Sequence, residues 1–195
     1  MNFDENKIRA TTKQDLSRKG SVDEPVLELV NYINQLNNYF TTSSCSGRIC
    51  VYEPGNINCK KKGCIWLYTS HNLCSLHDML DGLNKSEGNA FFKFEPFILH
   101  VQCRQLCDAQ LLHRLAIESG LKNSGMSFGK SGKITVAVRC TLSLEVPLTK
   151  NGQLLVSKEY LTFLVEIANE KLQSNFAVIK RLANYFLSTL SISVI

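Results

Sequence analysis

Behind Asp23, the apolar residues Val26, Val30, Ile33 and Leu36 recur at helical spacing, which predicts a helix from 24 to about 38. Asp23 suits the N-cap, and Pro25 the first turn, where a missing N–H is tolerated. Residues 40–52 read as a strand, and IWLYTS at 65–70 as a second. Leu76, Met79, Leu80 and Leu83 mark a short helix, and 89–102 is a third strand region broken by Pro96. A helix follows from near Arg104 to Gly120, a residue type suited to a C-cap. GKSGK at 129–133 reads as a turn, ITVAVRC behind it alternates cleanly, and LSLEVPL alternates again. Ser157 opens the last long helix, with its apolar stripe at Leu161, Leu164, Ala168 and Leu172. Helices and strands are interleaved, but short strand-to-strand turns dominate after residue 120. The pattern predicts an α+β fold with a mixed sheet and flanking helices, not a doubly wound parallel one. No repeat or linker composition divides the chain, so one domain over 1–195 is expected, with 1–12 and 181–195 poorly ordered.

The same periodicity sorts polar side chains onto faces. In ILHVQCR, Leu99, Val101 and Cys103 fall on one face of the strand, and His100, Gln102 and Arg104 on the other. If TTSSCSGR at 41–48 is extended, Ser44, Ser46 and Arg48 share a face, while Cys45 and Ile49 point the other way. Glu145 opposes Leu144 and Val146, and Arg139 opposes Val138. A solvated face of a one-sided sheet accounts equally well for Arg139 and Glu145. It accounts less well for His100 and Gln102, because Phe94, Phe97 and Ile98 crowd that segment. His113 reads as a satisfied boundary histidine and His77 as a surface helix residue; His71 ends a strand and fits either role.

Composition narrows the class. With 44% hydrophobic and 20% charged residues in 195, the chain is globular, and no apolar run approaches the roughly 18 residues needed to span a bilayer. MNFDENKIRA has no apolar core and is not a secretory signal, which points to the cytosol or nucleus, with a cytoplasmic protein expected. The eight cysteines are then free thiols or metal ligands, and spacings such as Cys59–Cys64 and Cys103–Cys107 lack paired zinc knuckles. They are read as small buried hydrophobes with no metal site. The net charge of +5 is mild, but positives cluster at Lys13, Arg18 and Lys19, at 60–62, and at Lys130 and Lys133, as suits a polyanion such as RNA. No dinucleotide, P-loop, serine-elbow or zinc-protease motif occurs. Composition and pattern alone stop at a basic α+β domain with a polar cleft.

Longer words carry further. DLSRKGSVDE at 15–24, TTSSCSGRI at 41–49, KFEPFILHVQCRQLCDAQLLH at 93–113, GLKNSG at 120–125, and LEVPL with EYL…AN nearer the end extend over about 13–175. In these the sequence resembles the tRNA wybutosine-synthesising methyltransferase family. NINCKKKG is a variable insert by that comparison, and the uncharged tail LANYFLSTLSISVI departs from the charged, amphipathic helix expected there. The resemblance implies a fold unlike the Rossmann-type methyltransferases and S-adenosylmethionine as methyl donor. It implies as substrate phenylalanine tRNA carrying the wybutosine precursor, methylated at N4 of the tricyclic base beside the anticodon, with no DNA or membrane partner. The oligomeric state stays open.

On this resemblance Ser44, Ser46, Gly47 and Arg48, with Asn123, Ser124 and Gly125, are expected to bind the cofactor. Arg48's partner is either the methionine carboxylate or a tRNA phosphate. Lys13, Arg18, Lys19, Gln102, Arg104, Arg139 and Glu145 are expected to bind substrate. His100 is the candidate base for the N4 proton, with Arg104 as the cation that keeps it unprotonated. Rival readings are a noncatalytic basic RNA-binding module and a hydrolase using a serine of 41–48.

Overall fold

The computed structural model describes residues 2–12, 20–55, 63–129 and 131–191. In chain order the elements begin with α1 Phe3–Thr12, α2 Glu24–Gln35, β1 Tyr39–Cys45, β2 Arg48–Glu53 and β3 Ile65–Ser70. Then come α3 Leu76–Leu83, β4 Phe91–Glu95, β5 Ile98–Cys103, α4 Leu106–Glu118, β6 Gly125–Phe128 and β7 Ile134–Arg139. The last are β8 Leu144–Pro147, β9 Thr149–Lys150, β10 Gln153–Leu154 and α5 Lys158–Ser191. The α+β class holds, and the expected mixed sheet resolves into two four-stranded sheets and a small hairpin, all antiparallel. The chain packs as two compact units, one from residues 1–46, 97–141 and 175–195, the other from 47–96 and 142–174.

The first unit's sheet has the order β1-β5-β7-β6. Leu99, Val101, Cys103, Val136 and Val138 line its buried face and join one core with Val30 and Ile33 of α2, Leu112 and Leu115 of α4, and Leu182 and Phe186 of α5. Each such side chain contributes on the order of 1.5–3 kcal/mol by leaving water. Capping fixes α4: Gln105 and Asp108 form a capping box, and Gly120 at φ +94 ends the turn behind it. The α1 segment, expected to be poorly ordered, is a helix held by Phe3, whose ring meets Phe40 edge-on at 5.1 Å.

The second unit's sheet has the order β3-β2-β4-β8. Ile49, Val51, Phe92 and Phe94 are buried, as is the predicted α5 stripe of Leu161, Leu164, Ala168 and Leu172. Asn169 of α5 grips Cys74 at both backbone groups, at 3.0 and 2.9 Å, while Ser75 and Asp78 form the capping box of α3. Pro96, which cannot donate to a ladder, separates β4 from β5 as expected. Among the described residues no helix is long and apolar enough to cross a membrane.

Candidate active site

The segment 41–48 is mostly strand, but it is not one strand. β1 carries a bulge between Thr41 and Ser43, so Ser43 pairs with His100, Ser44 with Leu99 and Cys45 with Ile98. A bulge inserts one residue and reverses every later side chain. Ser43 and Cys45 therefore share the His100 face, and Ser44 sits on the Leu99 face. The expected common face of Ser44, Ser46 and Arg48 is not formed. Ser46 leaves the strand, Gly47 takes φ +97, a conformation that suits glycine, and Arg48 begins β2.

Buried groups fix this turn. Ser46 is fully buried; its N–H donates to Asp23 Oδ2 at 2.9 Å, and its carbonyl accepts from Asn175 Nδ2 at 2.7 Å. Asn175 Oδ1 in turn accepts the Phe97 N–H at 2.7 Å, so one buried amide ties the end of β1 to the entry of β5. In the second unit the Gly47 carbonyl lies 2.9 Å from His71 Nδ1 and must accept, which places the proton on Nδ1. Asp23 is the N-cap of α2 as expected, but its side chain makes no cap bond to that helix and accepts the Ser46 N–H instead.

The first unit's sheet brings three of the predicted polar residues, His100, Gln102 and Arg139, to one face. His100 Nδ1 is 2.8 Å from Ser43 Oγ. Burial, then the Arg139 guanidinium, hold the His100 pKa below its ordinary value. The cation facing His100 is thus Arg139; Arg104 is turned away. Arg104 Nη1 donates to Asp4 at 3.1 Å, Nη2 donates to the Asn37 carbonyl at 3.0 Å, and its plane lies 4.4 Å over Phe3, so it fastens α1. Gln102 is buried on the His100 face. The Ser124 hydroxyl accepts the Arg139 N–H at 3.1 Å, Gly125 pairs with Ala137, and Asn123 is exposed in the preceding turn.

Arg48 and Glu145 belong to a separate charged and aromatic face on the second unit's sheet. Arg48 Nε donates to Glu95 at 2.6 Å, and its guanidinium lies 4.4 Å from the Trp66 ring. Lys93 lies between Glu95 at 3.6 Å and Glu145 at 3.5 Å, and the Tyr52 hydroxyl also donates to Glu145. Glu145 therefore already has partners within the sheet. Lys13, Arg18 and Lys19 lie outside the described residues. Burial pushes the thiols of Cys50 and Cys103 up to about 12, in keeping with cysteines that act as small hydrophobes.

Sequence reasoning missed Ser43, Asp23 and Asn175. Asp23 carried no signal beyond its cap position, and Asn175 looked like one more polar residue on a long helix. The bulge that promotes Ser43 leaves no mark in a run of similar small residues.

The profile described as Methyltransferase TYW3 matches residues 5–188. A human protein named tRNA wybutosine-synthesizing protein 3 homolog is 51% identical over 180 residues, covering 91% of this chain and 70% of that protein. A Pyrococcus horikoshii protein named tRNA(Phe) 7-((3-amino-3-carboxypropyl)-4-demethylwyosine(37)-N(4))-methyltransferase 1 is 39% identical over 188 residues, covering 93% of this chain and 95% of that one. A solved structure of a Pyrococcus horikoshii protein superposes with a TM-score of 0.85 at 37% identity, covering 94% of this chain and 95% of that one. A match of this extent, over both units and every element that carries the polar face, settles the family: the chain belongs to the TYW3 methyltransferases.

Proposed function

We propose that this chain is an S-adenosylmethionine-dependent tRNA methyltransferase that methylates N4 of the tricyclic wybutosine precursor next to the anticodon of phenylalanine tRNA. One observation carries the reading: near full-length similarity to the archaeal protein whose name states that reaction. S-adenosylmethionine supplies the methyl group as an electrophile on a positively charged sulfur. That charge disperses as the methyl leaves, so no anion is required beside it. The residues at the end of β1 fit such a donor: Ser43 offers a hydroxyl beside His100, and Ser46 is locked by Asp23 and Asn175. In this reading the 43–47 segment holds the donor, and orientation and exclusion of water supply much of the rate. His100 Nδ1 is 2.8 Å from Ser43 Oγ, and the base role assigns the proton to Nδ1, donated to that hydroxyl, so that the Nε2 lone pair accepts the N4 proton.

Arg48, held at Nε by Glu95, is assigned to an anionic group of donor or tRNA. The test is methyl transfer to phenylalanine tRNA from cells blocked before this step, followed by mass spectrometry of the released nucleosides. Transfer by the wild type, and its loss in Arg48→Ala, is expected. RNA binding with no methyl gained would replace this reading with a noncatalytic binding module. Full activity in Arg48→Ala would remove Arg48 from the site.

A further inference from the structure

Three rows of side chains cross the polar face of the first unit's sheet. Phe40, Gln102, Thr135 and Ser127 form one, Ser43, His100, Ala137 and Gly125 the next, and Cys45, Ile98 and Arg139 the third. The middle row falls from an imidazole to a methyl group and then to no side chain at all. A Cβ added at Gly125 would meet nothing within 4 Å, so the floor beside His100 is flat and open. Gly125 is the first residue of the edge strand β6, so no further strand borders this floor within the sheet.

Two side chains bordering this floor have no hydrogen-bond or ion-pair partner among the described residues. Gln102 is 7% exposed, and its side-chain amide makes no hydrogen bond among the described residues. Among the described residues no fully enclosed side-chain polar atom goes unpaired, so the unpaired amide of Gln102 keeps some exposure, on a side chain that shares the His100 face. An accessible amide with no partner in the fold has both its donor and its acceptor available to a ligand. On the other side Arg139 is exposed, and no carboxylate among the described residues pairs with it. No acidic residue stands in any of the three rows.

We propose that this floor binds one nucleotide of the RNA substrate, with the base flat over Ala137 and Gly125 beside His100, its edge read by Gln102, and a phosphate held by Arg139. The proposal rests on the tRNA reading above and adds where the RNA lies. Unstacked bases are recognised in this way, by a flat contact on one face and hydrogen bonds at the edge, and glutamine matches a purine edge with both of its amide groups. A guanidinium suits a phosphate. The donor is the poorer occupant, because small-molecule sites enclose most of their ligand, whereas Gly125, Ser127 and Arg139 are all exposed.

Gly125→Val gives a direct test. Gly125 is not among the positive-φ residues, the space above it is open, and valine favours strands, so the fold keeps its melting temperature or gains. A labelled anticodon stem-loop of phenylalanine tRNA should bind this variant about tenfold or more weakly, since losing one stacked base has an effect of that order. The proposal moves Gly125 from the donor, where the resemblance put it, to the RNA, so S-adenosylmethionine should bind within about twofold of wild type, and Arg139→Gln should lower the salt slope of stem-loop binding by about one unit. Stem-loop affinity unchanged in Gly125→Val overturns the proposal, and so does a loss confined to S-adenosylmethionine. A wild-type protein that does not bind the stem-loop overturns the tRNA reading together with it.

Discussion

His100 is where environment most directly sets chemistry. Burial and Arg139 both disfavour the imidazolium, so the ring is neutral near pH 7 and can accept a proton. Its pKa is lower folded than unfolded, so between the two values the unfolded chain binds more protons. The stability His100 contributes is complete above about 6.5, the unfolded value, and is lost as the pH falls below it. His100→Gln keeps a hydrogen-bonding group beside Ser43 but removes the base. We expect kcat to fall on the order of a hundredfold or more and the acid limb of the pH–rate profile to disappear. The fall of melting temperature on acidification should also become shallower in the variant. A kcat within a few-fold of wild type with the acid limb intact would make His100 a positioning residue only. The face that carries His100 and Gln102 was legible from strand alternation, because side-chain direction has a strict period of two. The choice of Ser43 over Ser44 was not, because a bulge resets that period without changing residue type. Nor was the partner of Arg104, since Asp4 lies 100 positions away.

Among the elements, those whose signals are local were read well. Alternation gave β7 and β8, Pro96 separated β4 from β5, and the stripe of α5 is buried where its spacing put it. The helical tendency of α1 was missed because its anchors are single residues, Phe3 on Phe40 and Arg104 on Asp4, and no apolar stripe announces them. The break between β1 and β2 was missed for a related reason: the groups that hold Ser46 out of a continuous strand come from Asp23 and α5. Asn175 is the critical one. Replacing it with alanine leaves the Ser46 carbonyl and the Phe97 N–H without their buried partner, each at about 1–3 kcal/mol. A loss of about 3 kcal/mol corresponds to a melting temperature lower by on the order of 10 °C in a chain of this size. Methyl transfer should fall as well, below the temperature at which the variant unfolds, because the Ser46 carbonyl loses its Asn175 partner. A thermal melt that overlays the wild type would show that water replaces Asn175, and the anchor would then not be needed.

For the molecule as a whole, the question is which of its cations a polyanion meets. The net charge is +5, but formal charge overstates what is available, because some cations are already neutralised. In the second unit Lys93 lies between Glu95 and Glu145, and Arg48 donates to Glu95. Phosphate binding releases counterions only where a cation replaces them, so the slope of log affinity against log salt counts the cations that engage phosphate. Lys93→Gln should therefore change that slope for phenylalanine tRNA by well under one unit. Lys13, Arg18 and Lys19 were assigned to the tRNA because they lie in or beside the DLSRKGSVDE word, and their arrangement lies outside the described residues. Replacing all three with glutamine should lower the slope by about three units and weaken binding most at low salt, with S-adenosylmethionine affinity unchanged. Measuring tRNA binding across a salt series for the wild type, the triple variant and Lys93→Gln separates the two groups of cations. If the triple variant keeps the wild-type slope while Lys93→Gln flattens it, the RNA runs along the second unit's charged face, and the N-terminal assignment is wrong.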